Sequence, residues 1–344
     1  MTLKITQLML SKGFGGAERL FVDLALALAE RDVSVQAVCH KDFVKRAALQ
    51  HRNISLAPVN VRGAWDLLAA RRITAAIRDF GPAVIHSHLA RGAHLAGRAA
   101  RSLGIPLAVN LHNYVDLKYY RNASMFVPGT EDQKNYLLRH GIAPQRVEVI
   151  PHFSLLAPVD RPRIGGDASA VFVSYGRMVK KKGFDVLLQA FRTVLDQGAQ
   201  ARLVIGGDGP ERSSLLQLAE ELSLGDAVDF SGWIDDVAAF LDGGDTFVLP
   251  SLDEPFGIVV LEAMARGKTI ISTKTQGPVE VLDETTAYFA EIGDAASLAQ
   301  AMLAALRDPG KRMSKATAVL ACFRDHYAED VVVPRFIDLY RRLA

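Results

Sequence analysis

The sequence contains little cysteine, few aromatic residues and no long apolar run, and each shortage excludes a class of protein. Cys39 and Cys322 are its two cysteines, one in each half, so a disulfide framework is excluded and a reducing compartment is favoured. No stretch approaches the roughly 18 consecutive apolar residues that span a bilayer. The first residues lack the pattern of a signal peptide. We therefore expect a cytoplasmic protein.

The net charge is also small, at +2 for 344 residues, but it is unevenly distributed. Residues 1–160 contain 20 Lys and Arg against 12 Asp and Glu, a balance of +8. Residues 161–344 contain 20 against 26, a balance of −6. A total near zero gives no reason to expect a nucleic-acid partner, whereas the asymmetry predicts an anionic partner for the N-terminal half.

The chain is long enough for two domains, because 344 residues with 49% hydrophobic content exceed one core of ordinary size. Short apolar runs typical of strands alternate with helical patterns, as at 5–10 before 17–31 and at 171–175 before 184–197. Further strands are predicted at 33–38, 83–88, 106–111, 125–128, 147–150, 202–205, 228–230 and 246–249. This alternation predicts an α/β protein in which helices cover both faces of a parallel sheet in each half.

A proline- and glycine-containing segment interrupts the alternation and predicts the domain boundary. The predicted organisation is an N-terminal Rossmann-like domain at 1–152, a linker at 153–167, a second Rossmann-like domain at 168–330 and a C-terminal helix at 331–344. We expect that helix to pack back on the N-terminal domain.

Glycines follow two of the predicted strands. Gly13, Gly15 and Gly16 come between the first strand and its helix, where free backbone N–H groups attract an anion. Their spacing is not GxGxxG. Gly207 lies in a second such loop, IGGDGP at 205–210, which is a weak signal alone because turns of this kind are common in α/β domains.

Four cations follow the strand at 171–175, in the segment GRMVKKKG: Arg177, Lys180, Lys181 and Lys182. Such a run is usually a solvated loop. Ligands of open parallel sheets bind at the carboxyl ends of strands, however, so its position favours phosphate binding.

Two glutamates stand in the most apolar stretch of the chain, DEPFGIVVLEAMARG at 253–267. Burying a carboxylate is costly unless a partner binds it. Glu262 could form a helical ion pair with Arg266, four residues on, and Glu254 could lie in a solvated loop. On these residues alone, the structural and the ligand-binding interpretations are equally supported.

The motifs together resemble the retaining, nucleotide-sugar-dependent glycosyltransferases of family 4. The similar segments are GGAERLFVDLALALAERDVSVQAV, GRMVKKKGFDVLLQAF, LVIGGDGPERSSL, VDFSGWIDDV and PSLDEPFGIVVLEAMARGKTII. The resemblance implies the GT-B fold, with two Rossmann-like domains whose parallel sheets face across an interdomain cleft. It implies transfer of a hexosyl unit from a nucleoside diphosphate sugar, UDP-sugar in preference to GDP-sugar, to a hydroxyl of a glycan or glycolipid in lipopolysaccharide or related synthesis. No metal or other cofactor is then expected.

The same resemblance implies roles for individual residues. Glu262 would accept hydrogen bonds from the ribose hydroxyls, and Glu254 would face the hydroxyls of the donor sugar. Arg177 and Lys182 would hold the phosphates and stabilise the leaving nucleoside diphosphate. The remaining implied donor-binding residues are Gly15, Gly16, Gly207, Pro255, Phe256, Gly257 and Ile258.

Histidines supply the other candidates. The resemblance places His112, after the strand at 106–111, against the donor sugar and the reaction centre, and His88 is a candidate on the acceptor side. A metal pair formed by His86 and His88 is the weaker interpretation, because no third ligand is evident. The chain departs from the family at His152 and Phe153, where asparagine and glycine are usual, and at Pro255, where glycine is common.

Two basic segments of the N-terminal half predict contact with an anionic membrane. FVKRAALQHR at 43–52 has the pattern of a short basic amphipathic helix, and NYVDLKYYR at 113–121 adds two cations and three tyrosines. Each cation near an anionic surface contributes about 1 kcal/mol. An ordinary solvated surface is the alternative interpretation.

Two other functions remain open at this point. A non-hydrolysing sugar-nucleotide epimerase shares the fold but should show its own set of acids and histidines. A catalytically silent nucleotide-binding partner protein would not need Arg177, Lys182, Glu254 and Glu262 together.

Overall fold

The computed structural model describes residues 2–114, 116–163 and 170–344. The chain divides into two compact units. Unit 1 comprises Met1–Leu155 and Ala328–Ala344, and unit 2 comprises Leu156–Tyr327. Each unit contains one six-stranded sheet in which all neighbouring strands are parallel.

Unit 1 alternates strands and helices through most of its length. Its elements are β1 (Lys4–Met9), α1 (Gly16–Glu30), β2 (Ser34–His40), β3 (Ile54–Val59), α2 (Leu67–Phe80), β4 (Val84–His88), α3 (Leu89–Leu103), β5 (Leu107–Leu111), β6 (Met125–Pro128) and α4 (Glu131–Arg139). Short 3-10 turns lie at Arg46–Leu49, Leu117–Tyr120 and Pro144–Arg146. The strand order in the sheet is β3-β2-β1-β4-β5-β6.

Unit 2 repeats the pattern. Its elements are β7 (Ala170–Tyr175), α5 (Phe184–Asp196), β8 (Ala201–Gly206), α6 (Arg212–Glu221), β9 (Val228–Gly232), α7 (Val237–Asp242), β10 (Thr246–Leu249), α8 (Ile258–Ala265), β11 (Thr269–Thr273), α9 (Pro278–Val281), β12 (Ala287–Ala290), α10 (Ala295–Arg307) and α11 (Pro309–His326). The 3-10 turns are Lys180–Lys182 and Gly225–Ala227, and the strand order is β12-β11-β10-β7-β8-β9. The final helix, α12 (Glu329–Leu343), belongs to unit 1.

Burial on both faces explains why the sequences of the strands are apolar runs. All residues of β10 and β11 are buried, as are all of β4 and β5, which is usual for parallel strands covered by helices on each side. Side-chain caps fix several helix starts: the carboxylate of Asp66 accepts from the N–H of Ala69, and the hydroxyl of Thr130 accepts from Gln133.

The strand orders create a switch point in each sheet. In unit 1 the chain leaves β1 in one direction through β2 and β3 and in the other through β4, β5 and β6. In unit 2 the same reversal lies between β7 and β10. Ligands of open parallel sheets bind outside the carboxyl ends of the strands at such a point, so a ligand is expected against the residues that follow β1, β4, β7 and β10.

The prediction of a strand at 147–150 is wrong, and the absence of this strand has a simple cause. Val147 forms one isolated bridge with Phe126, and the N–H groups of Glu148 and Ile150 donate to the carbonyls of Phe126 and Pro128. Pro128 has no N–H to return a bond, so the ladder does not continue.

The prediction of an amphipathic helix at 43–52 is also wrong. Only the 3-10 turn Arg46–Leu49 forms there, and the guanidinium of Arg46 donates to the carbonyl of Lys41. Phe43 and Leu49 are buried while Val44 is exposed. Within residues 43–52, all of which the structure describes, no helix is long enough to gather the cations on one face.

The predicted linker, 153–167, falls partly outside the described residues, which omit 164–169. Of its described part, Phe153 is fully buried and Ser154 bridges to Ala328 within unit 1. Val159 donates its N–H to the carbonyl of Ala265 within unit 2. The division between the units lies at Leu155 and Leu156.

Candidate active site

Lys182 and Glu254 form an ion pair at the switch point of unit 2. Lys182 follows β7 and Glu254 follows β10, and these strands are neighbours in the sheet. The Nζ of Lys182 donates to Oε2 of Glu254, and only 17% and 11% of the two side chains are exposed. The hydroxyl of Ser251 donates to the same oxygen at 3.3 Å. The fold therefore places a largely buried cation and anion where a ligand of this sheet would bind.

The other two lysines of the run have different partners. Lys180 pairs with Asp185 and Lys181 with Asp253, and both lysines are exposed. Arg177 lies in the exposed loop directly after β7. The three lysines therefore have separate partners, and Lys182 is the one that the fold directs toward Glu254.

Glu262 is buried in α8 and does not pair with Arg266. Its Oε2 accepts a hydrogen bond from the hydroxyl of Tyr175, the last residue of β7. The ring of Tyr175 is held edge-on against Phe240 and Phe247. Arg266 instead holds Asp242 with two nitrogens, at 3.0 and 2.5 Å. A carboxylate has about four lone-pair sites, and the hydroxyl of Tyr175 occupies one of those of Glu262.

The loop between the two glutamates depends on glycine. Gly257 has a φ of +90°, and a Cβ there would lie 3.2 Å from Cγ of Glu254. It precedes α8, whose start has no side-chain cap. Pro255, Phe256 and Ile258 are buried around it. The loop therefore presents uncapped N–H groups of α8 close to Glu254.

The second glycine loop serves a packing role in this structure. Gly207 has a φ of +118°, and a Cβ would lie 1.9 Å from the carbonyl oxygen of Gly176. Its N–H donates to the carbonyl of Gly232 at 2.6 Å. The amide of Gly207 is thus already bonded, and donor binding through this residue stays a prediction.

The glycines of unit 1 lie at the start of α1. Gly15 is the N-cap and Gly16 the first residue of the helix, which has no side-chain cap. Glu18 lies in the first turn and is buried, so one acidic group already interacts favourably with this end of the helix. Anion binding at Gly13, Gly15 and Gly16 stays a prediction.

The predicted histidines are adjacent in unit 1. His88 ends β4 and His112 follows β5, and Nδ1 of His88 lies 3.1 Å from Nε2 of His112. His86 stacks on His88, and the ring of His152 lies 5.5 Å from that of His112. The departure from the family at His152 therefore adds a fourth ring to this group.

Burial keeps these rings neutral. It lowers the pKa of His112 to about 3 and is the largest cause that lowers the pKa of His86 to about 3. Burial and the neighbouring rings place the pKa values of His88 and His152 well below the ordinary range. Neutral imidazole has one donor and one acceptor nitrogen, so the group can orient hydroxyls but carries no fixed charge.

A backbone irregularity immediately follows His88. Leu89 has a φ of +62°, a left-handed conformation that costs a non-glycine residue roughly 1–2 kcal/mol. Strain of this kind persists where the surrounding structure fixes the turn. It directs the chain from β4 into α3 at the switch point of the unit 1 sheet.

Other parts of the described structure provide weaker candidates for a functional site. Among residues 2–114, 116–163 and 170–344, no group of three or more His, Cys, Asp or Glu side chains is arranged to hold a metal ion. A cavity of about 440 Å³ lies at the opposite end of β1 and is lined by Thr2, Leu3, Arg31, Asp32, Val33, Ile337 and Arg341. None of the predicted site residues lines it.

Tyr175, Ser251 and His152 contact predicted site residues but were not predicted. Tyr175 and Ser251 border the segments GRMVKKKG and DEPFG, so proximity in sequence was the available signal. His152 was recognised only as a departure from the family.

Comparison with known proteins agrees with this geometry. A model described as Glycosyltransferase Family 4 matches residues 14–153, and one described as Glycosyl transferases group 1 matches residues 162–318. Over 343 residues the chain is 33% identical to the lipopolysaccharide core biosynthesis glycosyltransferase LpsD of Rhizobium meliloti (strain 1021), covering 95% of each chain. Lipopolysaccharide core biosynthesis glycosyltransferase LpsE of the same strain is 30% identical, with 98% of each chain covered.

Solved structures share the architecture. Anabaena HepE, in complex with UDP and glucose, has a TM-score of 0.85 at 18% identity, covering 99% of this chain and all of that chain. WaaG, a glycosyltransferase involved in lipopolysaccharide biosynthesis, has a TM-score of 0.74 at 16% identity, covering 98% and 99%.

The two parallel six-stranded sheets and these neighbours define the GT-B fold. The chain belongs to glycosyltransferase family 4, among the group 1 glycosyltransferases. Of the helices in the described residues, none has the length and apolar character required to cross a membrane.

Proposed function

We propose that the protein is a retaining hexosyltransferase that moves a sugar from a UDP-hexose to a hydroxyl of a lipopolysaccharide core glycolipid. The observation that carries the proposal is the Lys182–Glu254 pair at the switch point of unit 2, with Glu262 in the adjoining helix. Two relatives are named for lipopolysaccharide core biosynthesis, and HepE was solved with UDP and glucose.

Each charged group has a distinct task in this proposal. An ammonium has three donors, so Lys182 can keep its bond to Glu254 and still bind an oxygen of the diphosphate. Arg177 supplies a second, forked donor. A carboxylate accepts hydrogen bonds, so Glu262 suits the ribose hydroxyls and Glu254 suits the hydroxyls of the sugar.

Retention would follow from attack on the same face from which the diphosphate departs. The bond from the anomeric carbon to the phosphate oxygen breaks, and a bond to the acceptor oxygen forms on that face. The acceptor's proton passes to the departing phosphate oxygen. Lys182 and Arg177 lower the barrier because they stabilise the negative charge that develops on the diphosphate.

Incubation with α-linked UDP-hexoses and truncated lipopolysaccharide core tests this reaction. We expect acceptor-dependent UDP release and a product whose anomeric proton shows the α configuration by NMR. A β-linked product would contradict retention. Conversion of the UDP-hexose to its epimer without acceptor would indicate the epimerase, and UDP binding with no turnover would indicate a silent partner.

We also propose that unit 1 docks on an anionic membrane. The docking surface is not formed by the segments 43–52 and 113–121 alone. Trp65, Leu67 and Leu68 are 68%, 60% and 63% exposed. The ring of Trp65 lies 4.5 Å from that of His94, which in turn contacts Tyr119. These five residues are the Trp65 patch.

Cations accompany the Trp65 patch on the elements that carry it. Lys118 lies over the ring of Tyr119, and the charge of Arg98 acts on His94. Arg62, Arg71 and Arg72 are exposed on the loop and helix that carry the apolar side chains. Aromatic and leucine side chains ringed by cations fit the interface of an anionic bilayer, since each cation contributes about 1 kcal/mol there. A glycolipid acceptor would be reached from that surface.

Co-sedimentation with vesicles tests the docking. The parent should bind vesicles that contain phosphatidylglycerol, bind neutral phosphatidylcholine vesicles weakly, and lose binding at high salt. Trp65→Ser should reduce binding, whereas Trp233→Ser, at a 54% exposed tryptophan of unit 2, serves as the matched control and should not. Equal retention on both vesicle types, or equal loss in both variants, would contradict the docking surface.

A further inference from the structure

Five buried side chains of unit 1 form one hydrogen-bonded chain, the histidine network: Gln7, His86, His88, His112 and Tyr340. Gln7 lies on β1 opposite His86 on β4, in parallel register. Tyr340 reaches the same place from α12, more than 300 residues away in sequence. Apart from His112, which is 9% exposed, all are fully buried. Polar groups so buried are costly unless each finds a partner.

The orientation of the Gln7 amide sets the direction of the hydrogen bonds. Its carbonyl oxygen, Oε1, lies 2.8 Å from Nε2 of His88. An amide oxygen only accepts, so this nitrogen of His88 carries the proton. Neutral His88 then has a bare Nδ1, which accepts from Nε2 of His112 at 3.1 Å. His112 is left with a bare Nδ1.

The other end of the amide faces Tyr340 and, at 3.4 Å, Nδ1 of His86. The NH₂ group of Gln7 donates to the hydroxyl oxygen of Tyr340 at 3.1 Å. The hydroxyl of Tyr340 lies 2.5 Å from Nδ1 of His86 and donates to it. The hydrogen bonds therefore all run in the same direction: His112 donates to His88, His88 to Gln7, Gln7 to Tyr340 and Tyr340 to His86. Turning the Gln7 amide over would reverse the tautomers of His88 and His112.

We propose that Gln7, His88 and Tyr340 are positioning residues that hold His112 as the tautomer with a proton on Nε2 and a bare, accepting Nδ1. The inference rests on the proposed function, and on the family resemblance for placing His112 against the donor sugar. In that tautomer, His112 accepts a hydrogen bond from a sugar hydroxyl and cannot donate one to the diphosphate from Nδ1. The imidazole of His112 therefore favours a sugar hydroxyl that donates its proton to Nδ1.

Nitrogen-15 NMR of histidine-labelled enzyme tests the tautomer directly and needs no substrate. In the parent, we expect the His112 resonances, assigned by loss in His112→Gln, to show protonated Nε2 and bare Nδ1. Gln7→Leu removes the acceptor for His88 and should shift His112 toward the other tautomer. Gln7→Glu, which keeps an oxygen facing His88, should retain the parental state.

Kinetics distinguish positioning from mere packing. Gln7→Leu should lower kcat roughly tenfold, which corresponds to about 1.4 kcal/mol, with Gln7→Glu closer to the parent. Tyr340→Phe keeps the ring and removes the hydroxyl, which leaves the Gln7 amide only the longer 3.4 Å contact to Nδ1 of His86. It should therefore shift the tautomer in part and lower kcat even if Gln7→Leu fails to fold. A parental His112 with its proton on Nδ1, or a tautomer unchanged in both Gln7→Leu and Tyr340→Phe, would overturn the proposal. Because the NMR result is independent of turnover, it stands or falls separately from the transfer reaction.

Discussion

Replacing Lys182 with alanine is expected to lower kcat by roughly 100- to 1,000-fold, the range seen when one preorganised donor to a developing anion is removed. The effect should fall mainly on kcat and less on the Michaelis constant for UDP-hexose, because charge on the diphosphate is greatest in the transition state. Steady-state kinetics with UDP release as the readout measures both constants.

Lys181 provides the matched control. It lies one residue away in the same 3-10 turn, but it pairs with Asp253 at the surface, and an exposed pair of this kind contributes about 0–1 kcal/mol. Lys181→Ala should therefore retain kcat within roughly threefold. An equal fall in both variants, or a pure loss of donor affinity in Lys182→Ala, would contradict a transition-state role for Lys182.

Substitution of Arg177 should be tolerated no better than substitution of Lys182. Its proposed contact uses the planar fork of the guanidinium, which an ammonium cannot reproduce. Arg177→Lys should therefore fail to restore the kcat that Arg177→Ala loses. Recovery by lysine would show that only charge is needed at this position.

The sequence predicted the parallel α/β units because their strands are buried on both faces. β6 and β10 were predicted with the observed bounds, 125–128 and 246–249. β3 was not predicted, because this edge strand contains Pro58 and is only partly buried. Proline is tolerated on an edge strand, yet it weakens the local pattern by which a strand is recognised.

The candidate site could be predicted residue by residue but not pair by pair. The apolar neighbours of Glu262 indicated that its carboxylate needs a partner, yet nothing local to α8 pointed to Tyr175, 87 residues earlier. Glu254 and Lys182 are 72 residues apart. Such contacts arise because β7 and β10 become neighbours in the sheet, and strand order is a property of the whole unit.

The histidine network shows the same limit more strongly. His86 and His88 suggested a metal pair because they alternate on one strand, and His112 suggested a contact at a strand end. Gln7 and Tyr340, which set their hydrogen bonds, lie near opposite ends of the chain. A glutamine in a first strand and a tyrosine in a last helix carry no signal of this kind on their own.

The two glutamates should respond differently to alanine substitution. Glu262→Ala removes the proposed ribose contact and should weaken UDP and intact UDP-hexose alike, by roughly 10- to 100-fold, because a hydrogen bond to a charged group contributes about 1.5–3 kcal/mol. Glu254→Ala should weaken UDP-hexose by a similar factor and leave UDP within roughly threefold, since its proposed contact is to the sugar. Calorimetric titration measures these affinities.

Arg266→Ala is the control for that comparison. Arg266 is four residues from Glu262 on the helical surface but bonds Asp242 instead. Its loss should leave both affinities near the parental values. A fall in UDP affinity equal to that of Glu262→Ala would indicate that α8 is merely disturbed.

The most direct test of the central claim is titration of UDP and of intact UDP-hexose into the parent, Glu254→Ala and Glu262→Ala proteins. The proposed site predicts that the parent binds both ligands, that Glu262→Ala loses affinity for both, and that Glu254→Ala loses affinity for UDP-hexose alone. Parental affinity for both ligands in both variants would show that neither carboxylate contacts the donor.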